Sequence, residues 1–229
     1  MDLNKSRDYF NPEKVKGRCH IIGCGSVGSF VARFLVMSGV ENITLYDDDV
    51  VEPHNLCNQL FTTKDIGKEK TKALYEQLVA VNPDAADSIR VCGRYDSQNL
   101  SGYVFLCVDN IEIRKEIATK NQYNMNIKYL FDVRTSLESG DVLCVDWTDC
   151  AQVKNYIKSA SVYTHEEVLQ ELRENGGMNA CGMVLGVVGT VVMCSMIAVD
   201  NFINLINGKG VKRLINVNAF HNGGAIIAV

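Results

Sequence analysis

The chain has 229 residues, of which 47% are hydrophobic and 22% are charged, and its formal net charge is −4. This length suits one globular core, so we take residues 1–229 as a single domain. The acidic balance gives no reason to expect DNA as a partner, and it weighs modestly against tRNA.

Cysteine usage predicts a reducing compartment. The nine cysteines mostly stand inside apolar runs, where a thiol behaves as a small hydrophobe. The first 16 residues are polar and lack the apolar stretch of a secretory signal, so we expect a cytoplasmic protein. No two cysteines have the C-x-x-C spacing, so we expect no structural zinc site.

The first strong pattern follows a short N-terminal arm, residues 1–17. The apolar run Cys19–Ile22 predicts a strand, and apolar residues at helical spacing then continue to Gly39, which suits the end of a helix. Between them stands a G-x-G-x-x-G motif, formed by Gly23, Gly25 and Gly28. Such a strand–turn–helix lets a phosphate approach the backbone at the helix N-terminus.

A second apolar run, Ile43–Tyr46, ends in Asp47. A carboxylate at this place can accept hydrogen bonds from ribose hydroxyls. The unit therefore predicts a nucleotide site, against the alternative of a structural turn with a solvated Asp47.

Helices and strands alternate through the middle of the chain. A helix is predicted from Asp65, as its N-cap, to Pro83, and another over Ile111–Tyr123. The predicted strands are Ile89–Cys92, Tyr103–Val108, Ile127–Val133 and Asp141–Trp147. This alternation predicts a doubly wound, Rossmann-like α/β fold with a mostly parallel sheet.

The pattern loosens over residues 148–178, which we interpret as an insertion or crossover segment. Within it, T-H-E-E at residues 164–167 is a capping box that predicts a helix through Arg173. Met183–Val199 carries no charge and predicts a helix of the core or of a subunit interface rather than a membrane span. The final strands, Leu214–Phe220 and Ala225–Val229, are expected to be antiparallel.

Polar residues that suit nucleotide chemistry lie near predicted strand ends or helix starts. They are Asp47, Asp49, Asn55, Lys70, Asp109, Asn110 and Arg114. A carboxylate at a strand end can hold Mg²⁺, and cations can neutralise a transferring phosphate. The alternative is that Lys68, Lys70 and Lys72 form a solvated helix face and that residues 109–110 are simply a turn.

Four segments carry a family resemblance by their order and spacing. They are the glycine motif, L-Y-D-D-D-V-V-E-P-H-N-L-C-N-Q over residues 45–59, D-I-G-K-E-K over 65–70 and V-D-N-I-E-I-R over 108–114. Together they resemble the ThiF/MoeB/HesA family of adenylyltransferases, which is similar to the adenylation domain of ubiquitin-activating enzymes. The resemblance covers residues 18–134 firmly and 179–208 more loosely.

The resemblance implies binding of ATP and Mg²⁺ by a homodimer and adenylation of a carboxylate. That carboxylate is most often the C-terminal glycine of a ubiquitin-like or sulfur-carrier protein; a small molecule, a peptide or a tRNA nucleoside is the alternative. By position, the implied roles are Asp47 for the ribose, Gly23, Gly25 and Gly28 for the phosphate turn, Asn55 and Lys70 for the phosphates, Asp109 for magnesium and Arg114 for orienting the Asp109 loop. Asp49 and Asn110 complete the predicted nucleotide set.

Cys181 is a further candidate. It stands just before the long apolar helix, where thioester- or persulfide-forming relatives place a cysteine, and a helix N-terminus would lower its thiol pKa. The alternative is a buried structural thiol. Cys57 and Cys150 are weaker candidates of the same kind.

Asn58 departs from the family pattern, which usually has arginine there, within N-L-x-R-Q. Asparagine cannot make the bidentate phosphate contact of a guanidinium. Either another cation, such as Arg7, Arg134 or a residue of a second subunit, replaces it, or the chain is a catalytically weakened nucleotide-binding scaffold.

Overall fold

A computed structural model describes residues 1–180, 184–220 and 225–228. Within these ranges the strands are β1 Cys19–Ile22, β2 Ile43–Tyr46, β3 Arg90–Cys92, β4 Gly102–Leu106, β5 Ile127–Thr135, β6 Ser139–Asp146, β7 Leu214–Asn218 and β8 Ala225–Ala228. The α-helices are α1 Ser26–Met37, α2 Lys70–Val81, α3 Ile111–Lys120, α4 Cys150–Ser159, α5 His165–Glu174 and α6 Val188–Ile206. Strands β1 and β2 have the predicted bounds.

The described strands form one sheet in the order β3-β2-β1-β4-β5-β6-β7-β8. Strands β1 to β5 pair in parallel, whereas β6, β7 and β8 are antiparallel additions. The predicted fold class is therefore confirmed. Because β1 pairs with both β2 and β4, the strand order reverses beside β1. In open α/β sheets, ligands bind at the carboxyl ends of the strands at such a point.

Helices cover both faces of the sheet. On one face, α1, α2 and α6 pack over a core that includes Val31, Leu74 and Phe202. On the other face, α3 and α4 pack over a second core that includes Ile117 and Tyr156. This two-sided cover explains why β1, β2 and β4 are buried along their whole length and are mainly apolar.

Helix α6 is a buried element of this fold. Its length and composition would suit a membrane span, but half of its apolar window is buried inside the structure. Cys194, Ala198 and Phe202 are fully buried against the sheet and α1. Such burial is typical of the core helix of a globular domain.

Two local predictions are wrong. Asp65 does not cap α2, because it ends a 3-10 turn in which its carboxylate accepts hydrogen bonds from the Thr62 N–H and hydroxyl, 2.9 and 2.8 Å away. Residues 148–178 contain two helices rather than one, since α4 precedes α5. The capping box of α5 is confirmed, with the Glu167 carboxylate 2.7 Å from the Thr164 N–H.

Candidate functional site

The glycine turn, which contains Gly23, Gly25 and Gly28, follows β1 and packs against the residues just after β4. Gly23 has a φ of +91°, and a Cβ placed there would lie 2.8 Å from the Cys107 carbonyl oxygen. A Cβ on Gly28 would overlap the Gly23 carbonyl oxygen. These two glycines therefore allow α1 to pack on the turn, and they bring the turn next to the segment that leads into Asp109.

Gly25 differs from the other two glycines, because the space in front of it is open. Among the described residues, a Cβ at Gly25 would meet only the Gln59 side-chain nitrogen, at 3.9 Å. The Gln59 Oε1 atom is buried and has no hydrogen-bond partner among the described residues. An open backbone at a helix N-terminus beside an unused acceptor is the kind of place that a bound ligand fills.

Asp47 is fixed by the backbone at the mouth of this turn. Its carboxylate accepts hydrogen bonds from the N–H groups of Cys24, at 2.6 Å, and of Asp49, at 2.9 Å. Burial raises the pKa of the Asp47 carboxyl, although these hydrogen bonds oppose the shift. The structure thus places Asp47 directly beside the glycine turn.

Lys70 reaches the same edge through backbone pairing. An isolated antiparallel bridge joins Val50 to Glu69, and the Lys70 N–H donates to the Asp49 carbonyl at 2.9 Å. The Lys70 ammonium lies 2.8 Å from the Asp49 carboxylate. Pairing between distant segments therefore gathers the D-D-D and K-E-K motifs.

The three lysines of this stretch have different environments. The Lys70 side chain is only 10% exposed, whereas Lys68 is half-buried and Lys72 is exposed, and both of these pair with surface glutamates. The solvated-face interpretation is correct for Lys68 and Lys72 and wrong for Lys70. An ammonium held at a ligand-binding edge has a position suited to phosphate.

The end of β4 presents Asp109, Asn110 and Arg114. Asp109 is exposed, and Asn110 caps α3 by accepting hydrogen bonds from the N–H groups of Glu112, at 2.8 Å, and Ile113, at 3.3 Å. Arg114 is buried and donates to the Val108 carbonyl, next to Asp109. The Asn110 side-chain oxygen is thus used in capping, which leaves its predicted nucleotide contact to the amide nitrogen.

The segment that follows Asp49 holds two asparagines of different environment. Asn55 is buried, and its side-chain oxygen accepts from the Glu52 N–H at 2.8 Å. Asn58 donates from its amide to the Gly186 carbonyl at 3.2 Å. Asn58 therefore tethers the chain just before α6, which is a role that the sequence did not reveal.

Two arginines of this chain are candidates to replace the family arginine, and they lie on different parts of the fold. Arg7 is on the surface and pairs with Glu13 at 2.6 Å. Arg134 lies near the carboxyl end of β5 and pairs with Asp132 at 2.7 Å. Only Arg134, of these two, lies on the element adjacent to the Asp109 strand.

A cleft of about 430 Å³ opens beside α3, and sequence reasoning missed it. Its lining includes Tyr95 and Ile113, the latter in the first turn of α3. The Tyr95 ring packs edge-on against Tyr46, at 5.5 Å between ring centroids, and Tyr46 immediately precedes Asp47. The cleft is thus linked to Asp47 through the contact between Tyr95 and Tyr46. Nothing in the spacing of the β3–β4 loop could have placed it there.

Carboxylates that could hold a metal occur at two places. Asp109 offers an exposed carboxylate, and Asp47, Asp48 and Asp49 place one oxygen each within 4.8 Å of one another. Both sets offer the oxygen ligands that Mg²⁺ prefers.

The structure describes two of the three candidate thiols. Cys57 and Cys150 are exposed, and Cys181 lies outside the described residues. The described neighbours of Cys181 include Met178 and Val184, which form an antiparallel bridge. A covalent role for any of these thiols stays a prediction.

Comparison with curated proteins identifies partial relatives. The chain is 38% identical over 103 residues to the sulfur carrier protein ThiS adenylyltransferase of Escherichia coli K12. The aligned region covers 42% of this chain and 41% of the relative. The chain is 34% identical over 113 residues to ubiquitin-like modifier-activating enzyme 5 of Dictyostelium discoideum, covering 49% and 27%. The chain thus matches less than half the length of these relatives.

Solved structures share the fold over nearly the whole chain. PaaA superposes with a TM-score of 0.68 at 15% identity, covering 99% of this chain and 68% of PaaA. E. coli MccB, solved with ATP, gives a TM-score of 0.63 at 16% identity, covering 95% and 65%. Residues 14–226 match the ThiF family, and the chain therefore belongs to that family.

Proposed function

We propose that the chain is an ATP-dependent adenylyltransferase that activates a carboxylate. The observation that carries this proposal is the contact between the glycine turn and the end of β4, where Gly23 lies against Cys107. This contact gathers the phosphate turn, Asp47, Lys70 and the Asp109 segment at one edge of the sheet. Membership of the ThiF family and the fold shared with ATP-bound MccB support it.

The nucleotide would lie across the crevice beside β1. Asp47 would accept hydrogen bonds from the ribose hydroxyls, and the open backbone at Gly25 would receive a phosphate. The cleft lined by Tyr95 and Ile113 would take the base, because Tyr95 packs against Tyr46, the residue before Asp47, and the cleft presents an aromatic ring and an aliphatic side chain. Gln59 Oε1 would gain the partner that it lacks in the described chain.

The phosphates would be held by Lys70 and the Asn55 amide. The Lys70 ammonium is confined by burial and by Asp49, so it needs little reorganisation to face a phosphate. The exposed carboxylate of Asp109 fits Mg²⁺, and bound Mg²⁺ would neutralise phosphate charge. Arg114 would hold the Asp109 segment through the Val108 carbonyl.

The reaction is a displacement at the α-phosphorus. An oxygen of the substrate carboxylate would attack this atom, and the bond to the bridging oxygen of the β-phosphate would break. Pyrophosphate would leave with the electron pair of that bond, and the product would be an acyl-adenylate. No proton transfer is needed, so positioning and charge neutralisation by the protein would account for most of the catalysis.

The substrate that we favour is the C-terminal glycine of a ubiquitin-like or sulfur-carrier protein. The ThiS adenylyltransferase and the ubiquitin-like modifier-activating enzyme 5 relatives support this choice. A small-molecule, peptide or tRNA-nucleoside carboxylate is the second candidate. We further propose a homodimer in a reducing cytoplasm, as the family resemblance and the cysteine usage favour.

Asn58 supports a competing proposal, a scaffold that binds nucleotide without catalysis. Its amide contacts the Gly186 carbonyl rather than facing an open cavity, so it does not stand in for an arginine. The enzyme proposal then needs its positive charge from Lys70, from Arg134 or from a second subunit. The experiment below separates the two proposals.

Pyrophosphate exchange tests the enzyme proposal. The chain is incubated with ATP, Mg²⁺, labelled pyrophosphate and a carrier protein that ends in Gly-Gly, and label in ATP is measured. We expect label with the intact carrier and none with the matched carrier that lacks its last glycine. ATP binding without exchange on any carrier, peptide or small carboxylate would favour the scaffold instead.

A further inference from the structure

A buried carboxylate, Asp132, lies within β5, opposite Leu106 at the end of β4, and is fully enclosed. Its Oδ1 atom pairs with the Arg114 guanidinium. Its Oδ2 atom accepts from Arg134 Nε at 2.8 Å and from the Tyr156 hydroxyl at 2.9 Å. A buried carboxylate is costly unless it is paired and hydrogen-bonded in this way, so each of these partners constrains its orientation.

Arg114 connects this carboxylate to the candidate metal ligand. Besides Asp132, its guanidinium donates to the carbonyls of Val108 and, at 3.1 Å, Val133. Burial lowers the pKa of Arg114 to about 10, and the nearby Asp109 carboxylate acts in the opposite direction. Arg114 therefore remains charged at neutral pH, bound to the residue before Asp109.

Tyr156 reaches the cluster from a different part of the chain. It lies on α4, in the segment 148–178 that the sequence presents as an insertion or crossover. Its ring packs edge-on against Trp147, at 6.3 Å between centroids, and both side chains are buried. The hydroxyl therefore has a fixed position, and its hydrogen bond to Asp132 links α4 to β5, the strand next to β4.

We propose that Tyr156 and Asp132 are positioning residues for Asp109. The Tyr156 hydroxyl holds Asp132, Asp132 holds Arg114, and Arg114 holds the Val108 carbonyl that sets the backbone at Asp109. Helix α4 is then part of the functional site rather than an insertion. This inference rests on the proposed function, because it takes Asp109 as the Mg²⁺ ligand of the nucleotide complex.

Tyr156→Phe tests the inference, because it removes the hydroxyl and leaves the ring. Calorimetric titration with α,β-methylene-ATP, in Mg²⁺ and in EDTA, measures affinity without turnover. Outer-sphere partners of metal ligands are typically worth about 10- to 100-fold in metal affinity, so we expect at least a tenfold loss in Mg²⁺ and no change in EDTA. A purely structural defect would weaken binding equally under both conditions.

The chain offers a matched control in Tyr129→Phe. The Tyr129 hydroxyl also donates to a carboxylate, that of Asp146 at 3.2 Å, but within the described residues no hydrogen bond or ion pair joins this pair to Arg114 or the Asp109 segment. The control should bind the analogue like the wild type under both conditions. In an Asp109→Ala background, Tyr156→Phe should cause no further loss, since the ligand that it positions is gone.

Hydrogen–deuterium exchange of residues 107–113 in nucleotide-free protein provides the second readout. We expect faster exchange in Tyr156→Phe than in Tyr129→Phe, with matching Trp147 fluorescence to show that both variants are folded. Equal exchange and equal Mg²⁺ dependence in the two variants would overturn the inference. If the wild type binds no analogue, the proposed function fails, and the exchange comparison alone decides the role of Tyr156.

Discussion

The glycine turn allows folding and nucleotide binding to be separated by two single-methyl substitutions. Gly28→Ala would place a Cβ inside the Gly23 carbonyl oxygen, which belongs to backbone and cannot swing aside. Overpacking of this kind costs typically 1–3 kcal/mol, and we take about 3 because the obstacle is rigid. For a domain of this length, that cost lowers the melting temperature by roughly 6–12 °C.

Gly25→Ala should leave the melting temperature unchanged and weaken ATP binding instead. Within the part of the chain that the structure describes, its new Cβ would meet no atom closer than the Gln59 nitrogen at 3.9 Å, so we expect melting near the wild-type temperature. The same methyl would occupy the place that the proposal gives to a phosphate. Loss of a hydrogen bond to a charged group costs about 1.5–3 kcal/mol, so ATP affinity should fall about 10- to 100-fold.

Thermal unfolding followed by Trp147 fluorescence, with ATP titration of each folded variant, measures both effects. Trp147 is the single tryptophan of the chain and is buried. Gly210→Ala is the control, since the added Cβ has no described atom within 4 Å apart from its chain neighbours. If Gly25→Ala bound ATP as tightly as the wild type, no phosphate would approach the turn, and the reasoning would be refuted.

Three further predictions concern other parts of the site and the core. Folding lowers the pKa of buried His20 from 6.5 to about 4, chiefly through burial, so the unfolded chain binds more protons between these values. Stability should therefore fall by about 2 kcal/mol from pH 7 to pH 5, and His20→Gln should flatten this slope in denaturant titrations; an unchanged slope would contradict the assignment. Lys70→Met should keep the fold and reduce pyrophosphate exchange about 100-fold, whereas Lys72→Met should match the wild type; similar rates for both variants would exclude Lys70 from the site. Asn58→Arg should change exchange by less than about tenfold, and a gain of about 100-fold or more would show that the present chain is the weakened scaffold.

The sequence predicted most reliably what depends on short-range pattern. Strands β1 and β2 are four-residue, mainly apolar runs that are buried along their whole length, and Gly23 and Asp47 follow them directly and mark their ends. The alternation of helices and strands was sufficient for the fold class. The strand-end positions of Asp47 and Asp109 followed from that topology.

The errors arose where distant residues decide the structure. Helix α2 begins at Lys70 rather than at Asp65, because Asp65 ends a 3-10 turn and Glu69, the residue before the helix, pairs with the distant Val50 in an isolated bridge. Helix α4 was missed because only Val153 and Tyr156 in it are buried, which is too weak a periodic signal.

The environments of the site residues were also beyond sequence reasoning. Spacing alone could not distinguish buried Lys70 from Lys68 and Lys72, whose ammonium groups pair with surface glutamates. The contact of Asn58 with Gly186 joins residues 128 positions apart, and the contact of Tyr156 with Asp132 joins two separate elements. No local pattern records such pairs.

Direct detection of the acyl-adenylate tests the central claim most sharply. The chain is mixed with ATP, Mg²⁺, pyrophosphatase and a Gly-Gly-terminated carrier, and the carrier is analysed by intact-mass spectrometry. We expect a carrier that has gained one AMP at its terminal carboxylate with the wild-type chain, and an unmodified carrier with Lys70→Met. An unmodified carrier alongside a wild-type chain that binds ATP tightly would contradict it.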